Sequence, residues 1–225
     1  MKTRLGIVTI GQAPRIDVVP EMADVLGPSV EIVERGALDG LPAADIAALA
    51  PTEGDEVLVT RLADGSSVFV GKRAVTPRVQ HKIDELERAG VAMTLVLCTG
   101  TFRGLTASRP LVEPDKVLAG VLRGVRVTGR LGVVAPSPRH VSQTAARWTS
   151  YGFDPVVVAV SPYRESESLA SAANVLRPAG VGLVLLDCMG FRREARAELR
   201  QALGGVPVIV ANLLVARVAV ELVGD

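Results

Sequence analysis

The chain repeats itself, and that repeat limits the fold more than any other feature. Ala89-Gly90-Val91-Ala92-Met93-Thr94-Leu95-Val96-Leu97-Cys98-Thr99-Gly100 aligns without gaps on Ala179-Gly180-Val181-Gly182-Leu183-Val184-Leu185-Leu186-Asp187-Cys188-Met189-Gly190, at a constant offset of 90. Each copy reads as a helix end at Ala-Gly, a buried strand, a cysteine at the strand's C-terminal end and a glycine two residues on. Cys98 and Cys188 are the only cysteines in the chain. A second pair supports the first: Arg4-Leu5-Gly6-Ile7-Val8 recurs as Arg130-Leu131-Gly132-Val133-Val134, and Pro14-Arg15 recurs as Pro138-Arg139 in the following loop. The chain is therefore two related halves.

Short Val/Ile/Leu runs alternate with stretches of helical spacing, the pattern of parallel strands buried on both faces between crossover helices. Strands are expected at residues 5–10, 30–34, 57–61, 68–70, 93–97, 130–135, 155–160, 183–186 and 208–211. Helices are expected at 17–26, 43–49, 73–89, 114–123, 139–151, 166–177, 192–203 and 213–222. The runs 57–61 and 68–70 flank Ala63-Asp64-Gly65-Ser66, where glycine suits the positive φ of a tight turn, so an antiparallel hairpin is inserted in the first half. The fold expected is two pseudo-symmetric, doubly wound α/β lobes with mainly parallel sheets and a cleft between them. The first lobe takes 1–105 plus 212–225, and the second takes 106–211.

With 225 residues, 48% hydrophobic and 22% charged, the chain has ample side chain for such cores, which excludes disorder. Basic and acidic residues balance at 25 and 24 and aromatics are 3%, so nucleic acid is not an expected partner. Two cysteines are too few for a secreted disulfide framework. The first residues lack a signal-peptide core, and charges interrupt the apolar stretch 206–223, so a cytoplasmic protein without membrane spans is expected. The glycines of Gly65 and Gly71-Lys72-Arg73 are misspaced for a phosphate loop, and no G-x-G-x-x-G follows a strand. His81 and His140 stand without a ligand set and read as surface histidines on helices; no metal is expected.

Ligands of parallel sheets bind beyond the strands' carboxyl ends, where both cysteines fall. Two thiols on opposite faces of one carbon can abstract a proton from one side and return one to the other, inverting the centre. A cysteine pKa of about 8.5 allows one to serve as base and the other as acid. For both to reach one carbon they stand about 6–7 Å apart, too far for a disulfide. Candidate substrate contacts are Thr9, Gln12 and Arg15 after the first strand, Arg73, then Thr99, Gly100 and Thr101 after Cys98. In the second half they are Pro136 and Ser137, in a loop that with the one after the first strand would hold the substrate carboxylate, and Met189 and Gly190, which with Thr99, Gly100 and Thr101 would stabilise a carbanion through backbone N–H groups and hydroxyls. Arg15, Arg61, Lys72 and Arg73 also offer charge to an acidic substrate. With 21 of 25 basic residues arginine, the competing reading of each is a surface residue. Asp187 either polarises Cys188 or, by strand alternation, faces away. Small buried hydrophobes are the competing reading of both cysteines.

Four segments carry a family resemblance: Ile7-Val8-Thr9-Ile10-Gly11-Gln12-Ala13-Pro14-Arg15, Gly71-Lys72-Arg73, Leu186-Asp187-Cys188-Met189-Gly190-Phe191 and Asn212-Leu213-Leu214-Val215-Ala216-Arg217. Over essentially its whole length the chain resembles the aspartate/glutamate racemase superfamily and, within it, the AroM family. The resemblance implies two α/β lobes with a central cleft, no pyridoxal phosphate, no metal, often a homodimer, and acid/base cysteines at Cys98 and Cys188. The chain departs from the amino-acid racemases of that superfamily at Gln12, Thr99-Gly100 and Met189. Other members use one or both cysteines for decarboxylation or for cis–trans isomerisation of a diacid. The activity expected is a cofactor-independent racemase or epimerase of a small carboxylate-bearing substrate. The alternatives are a related decarboxylase or isomerase, or a two-lobed small-molecule sensor without turnover.

Overall fold

A computed structural model describes residues 2–164 and 168–223. The chain divides into two compact units, one of Met1–Val117 with Val215–Asp225 and the other of Leu118–Leu214.

The first unit holds a parallel sheet of β1 (Thr3–Thr9), β2 (Val30–Gly36), β5 (Met93–Leu97) and β6 (Leu111–Val112), in the order β2-β1-β5-β6. A separate antiparallel hairpin joins β3 (Val57–Arg61) to β4 (Ser67–Gly71), with Gly65 at φ +82° in its turn. α1 (Val19–Leu26), α2 (Ala43–Ala48) and α3 (Lys72–Arg88) complete the unit. β1 is buried from Leu5 to Thr9, and all of β5 is buried, which is why both read as unbroken apolar runs. α3 presents Val75, Val79, Ile83 and Leu86, one stripe at helical spacing, to a core that also holds Val8, Val96, Leu58, Val70 and Phe102. The hairpin is therefore built into the first unit's core.

The chain enters the second unit within α4 (Pro114–Gly124) and leaves it within α8 (Ala211–Val223). Here β7 (Arg130–Ala135), β8 (Pro155–Ala159), β9 (Val181–Leu186) and β10 (Val208–Val210) form a parallel sheet in the order β10-β9-β7-β8. α5 (Val141–Ser150), preceded by a 3₁₀ turn at Pro138–His140, packs with α6 (Leu169–Leu176) on β8, and α7 (Arg193–Ala202) packs on α6 and β10. The expected helix at 166–177 begins partly outside the described residues and is seen from Leu169.

The two sheets are copies in register as well as in order. β1 corresponds to β7 and β5 to β9: Leu5 pairs with Met93 as Leu131 pairs with Leu183, and Val8 with Val96 as Val134 with Leu186. A β-carbon added at Gly6 would stand 3.1 Å from Leu86, 3.2 Å from Val91 and 3.2 Å from Thr94. One added at Gly132 would stand 3.2 Å from Leu176, 3.3 Å from Val181 and 3.0 Å from Val184, the residues 90 positions on. Gly90 and Gly180 also match, both left-handed at φ +77° and +68° where a helix hands over to a strand.

Two strand and helix expectations need correction. β6 was not expected, because two apolar residues between polar loops give no periodic signal. The first helix begins at Val19 rather than residue 17, because Asp17 is held by Arg15 outside the helix. Among the described residues, no helix is long and apolar enough to cross a membrane.

Candidate active site

In the first unit the loop after β1 is a fixed platform. The Gly11 amide donates to Thr9 Oγ1 (3.2 Å), the Gln12 amide to Arg61 O (3.1 Å) and the Ala13 amide to an Asp39 carboxylate oxygen (2.9 Å). Gln12 clamps the loop to the hairpin, its Oε1 accepting from the Ala63 amide at 2.8 Å. Arg15 is 3% exposed and turns its guanidinium inward, with Nε and Nη2 on the two Asp17 oxygens at 2.8 Å and Nη1 on Thr9 Oγ1 at 3.0 Å. A bidentate pair of this kind is the stronger class of ion pair. Burial works to raise the Asp17 pKa, but the Arg15 hydrogen bonds and charge outweigh it and hold the carboxyl below its usual value. Glu34, which accepts from the Arg15 amide at 2.8 Å, is raised by burial and by neighbouring Asp17 and Asp39, against that hydrogen bond and the Arg15 charge. Between this loop and the hairpin tip lies a cavity of about 240 Å³, lined by Pro14, Arg15, Ile16, Asp17, Arg61 and Leu62 among others.

Cys98 is half-buried just past β5. Its sulfur accepts from the Gly100 amide at 3.3 Å. The hairpin lies over this turn: a β-carbon on Gly100 would meet Leu58 at 3.0 Å. Thr99 is buried and Thr101 half-buried. Arg73 is exposed and tied to the 52–56 turn, its amide on Asp55 (3.3 Å) and its guanidinium on Gly54 O (3.2 Å).

The second unit presents the counterpart. Cys188 is 8% exposed just past β9, and its sulfur accepts from the Gly190 amide at 3.5 Å. The Tyr163 hydroxyl lies 3.8 Å from the same sulfur. Met189 is buried, and Asn212 at the start of α8 secures the turn, its Nδ2 donating to Met189 O and Phe191 O at 2.8 Å each. Pro136 and Ser137 are buried beyond β7. Asp187 faces α5: its carboxylate accepts from Trp148 Nε1 at 2.9 Å and pairs with Arg147, while its amide extends the β7 ladder to Val134 O at 2.9 Å. Strand alternation therefore settles the direction of this side chain.

The expectation of two surface histidines is half right. His81 is exposed beside Glu85, but His140 is 5% exposed, with Nδ1 2.8 Å from Ser137 Oγ. Burial pulls its pKa down to about 4, with the Asp187 charge opposing and the Arg147 and Arg139 charges adding to the depression. The reason is local: the 3₁₀ turn swings residue 140 inward before α5 begins.

A model of the AroM protein family matches residues 5–223. The chain belongs to the AroM family. No curated protein matches it. Among solved structures, this AroM-family chain is similar to an allantoin racemase from Klebsiella pneumoniae (16% identity, covering 99% of this chain and 88% of that one, TM-score 0.63). It is also similar to an arylmalonate decarboxylase (18%, 99% and 93%, TM-score 0.62) and to the aspartate racemase of Picrophilus torridus (14%, 99% and 94%, TM-score 0.61). The AroM chain thus has the fold of the aspartate/glutamate racemase superfamily.

Two features of the AroM site differ from what sequence suggests. The Gly100 and Gly190 amides are directed at the cysteine sulfurs themselves rather than out at a substrate. Tyr163 escapes sequence reasoning because nothing marks it except its place just past a strand, at the same sheet edge as Cys188. Among the described residues, no cluster of His, Cys, Asp or Glu is arranged to hold a metal ion.

Proposed function

We propose that this chain is a cofactor-independent racemase or epimerase of a small carboxylate-bearing acid, with Cys98 and Cys188 serving one substrate as acid and base. What supports this most is the equivalence of the two sulfurs. Each follows the same strand of a duplicated sheet in the same register, and each receives the amide two residues on. In one turnover the thiolate of one cysteine takes the α-proton and the C–H electron pair stays on the substrate as a carboxylate-stabilised carbanion. The other cysteine's S–H bond then breaks to protonate the opposite face, leaving the thiolate on the second sulfur. The reverse hand runs with the roles exchanged. The hydroxyls of Thr99, Thr101 and Ser137 and the platform of Thr9, Gln12 and Arg15 orient the substrate, Arg15 acting through the shape of its loop. Following the family resemblance, the working protein is taken as a cytoplasmic homodimer.

Amino and hydroxy acids incubated with the protein in heavy water test this, read by mass spectrometry of the α-position. Exchange should occur with one acid class, and Cys98→Ser and Cys188→Ser should each lower its rate about 10²–10⁴-fold, the usual worth of a positioned acid or base. Release of carbon dioxide from a malonate-type diacid with one cysteine dispensable would replace this reading with a decarboxylase. Binding of an acid without exchange would replace it with a sensor.

A further inference from the structure

The Cys188 sulfur owes its amide to the way one peptide unit is turned. The Met189 carbonyl and the Gly190 N–H belong to the same planar trans peptide and point in opposite directions. The carbonyl accepts from Asn212 Nδ2 at 2.8 Å, while the N–H donates to Cys188 Sγ at 3.5 Å. The same Nδ2 holds Phe191 O at 2.8 Å, and the Phe191 amide closes the four-residue turn on Cys188 O at 3.4 Å. The 189–190 peptide is the central one of that turn, the unit whose flip separates type I from type II turns. The flipped form needs a positive φ at the third residue. That residue is Gly190, which lies outside the left-handed region here but reaches it without steric penalty. Asn212 is 1% exposed and its Oδ1 has no hydrogen-bond partner, so what this buried side chain contributes is its two donations. The duplication does not repeat them. Leu111 pairs with Thr94 as Val208 pairs with Val184, which puts Asp115 at the matching place, and a carboxyl group has at most one proton to give.

From this we infer that Asn212 is a positioning residue for the reaction at Cys188, selecting the peptide state that keeps the Gly190 N–H, and not the Met189 carbonyl, on the sulfur. Without its two donations the central peptide is released to turn over. The sulfur then faces either no donor or a carbonyl oxygen, whose partial negative charge opposes that of a thiolate. A donor to a charged form lowers the pKa of the group that bears the charge, so losing the donor raises it. The Tyr163 phenol, 3.8 Å from the sulfur, and the preceding Asp187, whose carboxylate faces Trp148 and Arg147, also stand beside Cys188 and are kept in every variant below. The inference deepens the proposed racemase reading and rests on it for its catalytic meaning. Its physical content, the coupling of Asn212 to the ionisation of Cys188, stands alone.

The test uses the whole chain carrying Cys98→Ser, in which Cys188 is the sole thiol, and needs no substrate. A pH titration of thiolate ultraviolet absorption gives the Cys188 midpoint. Nuclear magnetic resonance follows the peptide itself. Met189-Gly190 is the only Met–Gly step in the sequence, so methionine labelled with carbon-13 at the carbonyl and glycine labelled with nitrogen-15 give a single correlated amide signal, that of Gly190. With Asn212 in place, this amide proton should move downfield as Cys188 ionises. Asn212→Leu, which fills the space without a donor, and Asn212→Ala should each abolish that movement and raise the midpoint by about one unit, a tenfold change in ionisation constant. A Gly190 signal indifferent to the ionisation with Asn212 in place, or a midpoint unmoved in a folded variant, would overturn the inference. Loss of fold in both variants, seen by circular dichroism, would overturn it too, by giving Asn212 a purely structural role. Failure of isotope exchange with all acids would sink the racemase reading while leaving the Gly190 signal and the midpoints unaffected.

Discussion

His140 is a buried base whose charging is coupled to folding. Its folded pKa of about 4 lies below the ordinary value of 6.5, so between those two pH values the unfolded chain binds a proton that the folded chain refuses. Stability is therefore full above about pH 6.5, falls as the pH drops toward 4, and levels off below it, with a total loss of roughly 3 kcal/mol at most. Asparagine offers an amide near the position of Nδ1 without titrating. The difference in urea-unfolding free energy between wild type and His140→Asn should grow in the wild type's disfavour from pH 6.5 to 4, and a pH-independent difference would show that His140 is not the titrating group. The residues that sequence exposes are those whose chemistry is scarce. Two cysteines at one repeat position are legible without coordinates, whereas the surroundings of His140 and Tyr163 are brought by other strands. Arg15 is read differently by sequence and by structure. An arginine in a loop beyond a strand suggests an anion ligand, yet Asp17, two residues away, turns it inward.

At the scale of the elements, α5 is held to the end of β9 by the Trp148 indole on Asp187, the residue before Cys188. Trp148 is fully buried, so removing its N–H leaves a buried carboxylate short of a donor. Trp148→Phe should cost about 2 kcal/mol, measured by urea unfolding followed by circular dichroism; a cost under about 0.5 kcal/mol would mean that Asp187 does not depend on the indole N–H. Strands buried on both faces and long amphipathic helices were legible from the sequence, because their periodicity is set by what they pack against. β6 was not, though the repeat contained the clue. Pro110 O accepts from the Thr94 amide at 3.0 Å as Pro207 O accepts from Val184 at 2.9 Å, so Pro110-Leu111-Val112 matches Pro207-Val208-Ile209.

At the scale of the whole molecule, the duplication predicts that equivalent changes in the two units have equivalent costs. Gly6→Ala and Gly132→Ala each force a methyl against the same three neighbours of its own sheet and helix. Both should lower stability by about 1–3 kcal/mol, the cost of overpacking, in thermal or urea unfolding. A change tolerated in one unit and ruinous in the other would mean that the copies have diverged in packing as well as in sequence. Divergence is instead concentrated at the hairpin, which among the described residues only the first unit has, and at the side chains beside the two cysteine turns. These are the places where the sequence comparison of the halves breaks down. The central claim is that two cysteines divide the work of one inversion, and isotope position tests it most directly. One hand of an exchanging acid is incubated in heavy water, and deuterium is read separately in each hand at low conversion. Two bases predict deuterium in the product hand while the remaining starting hand keeps its original hydrogen. Equal early deuterium in both hands would mean that a single group carries the proton on both faces, and the two-cysteine account would be wrong.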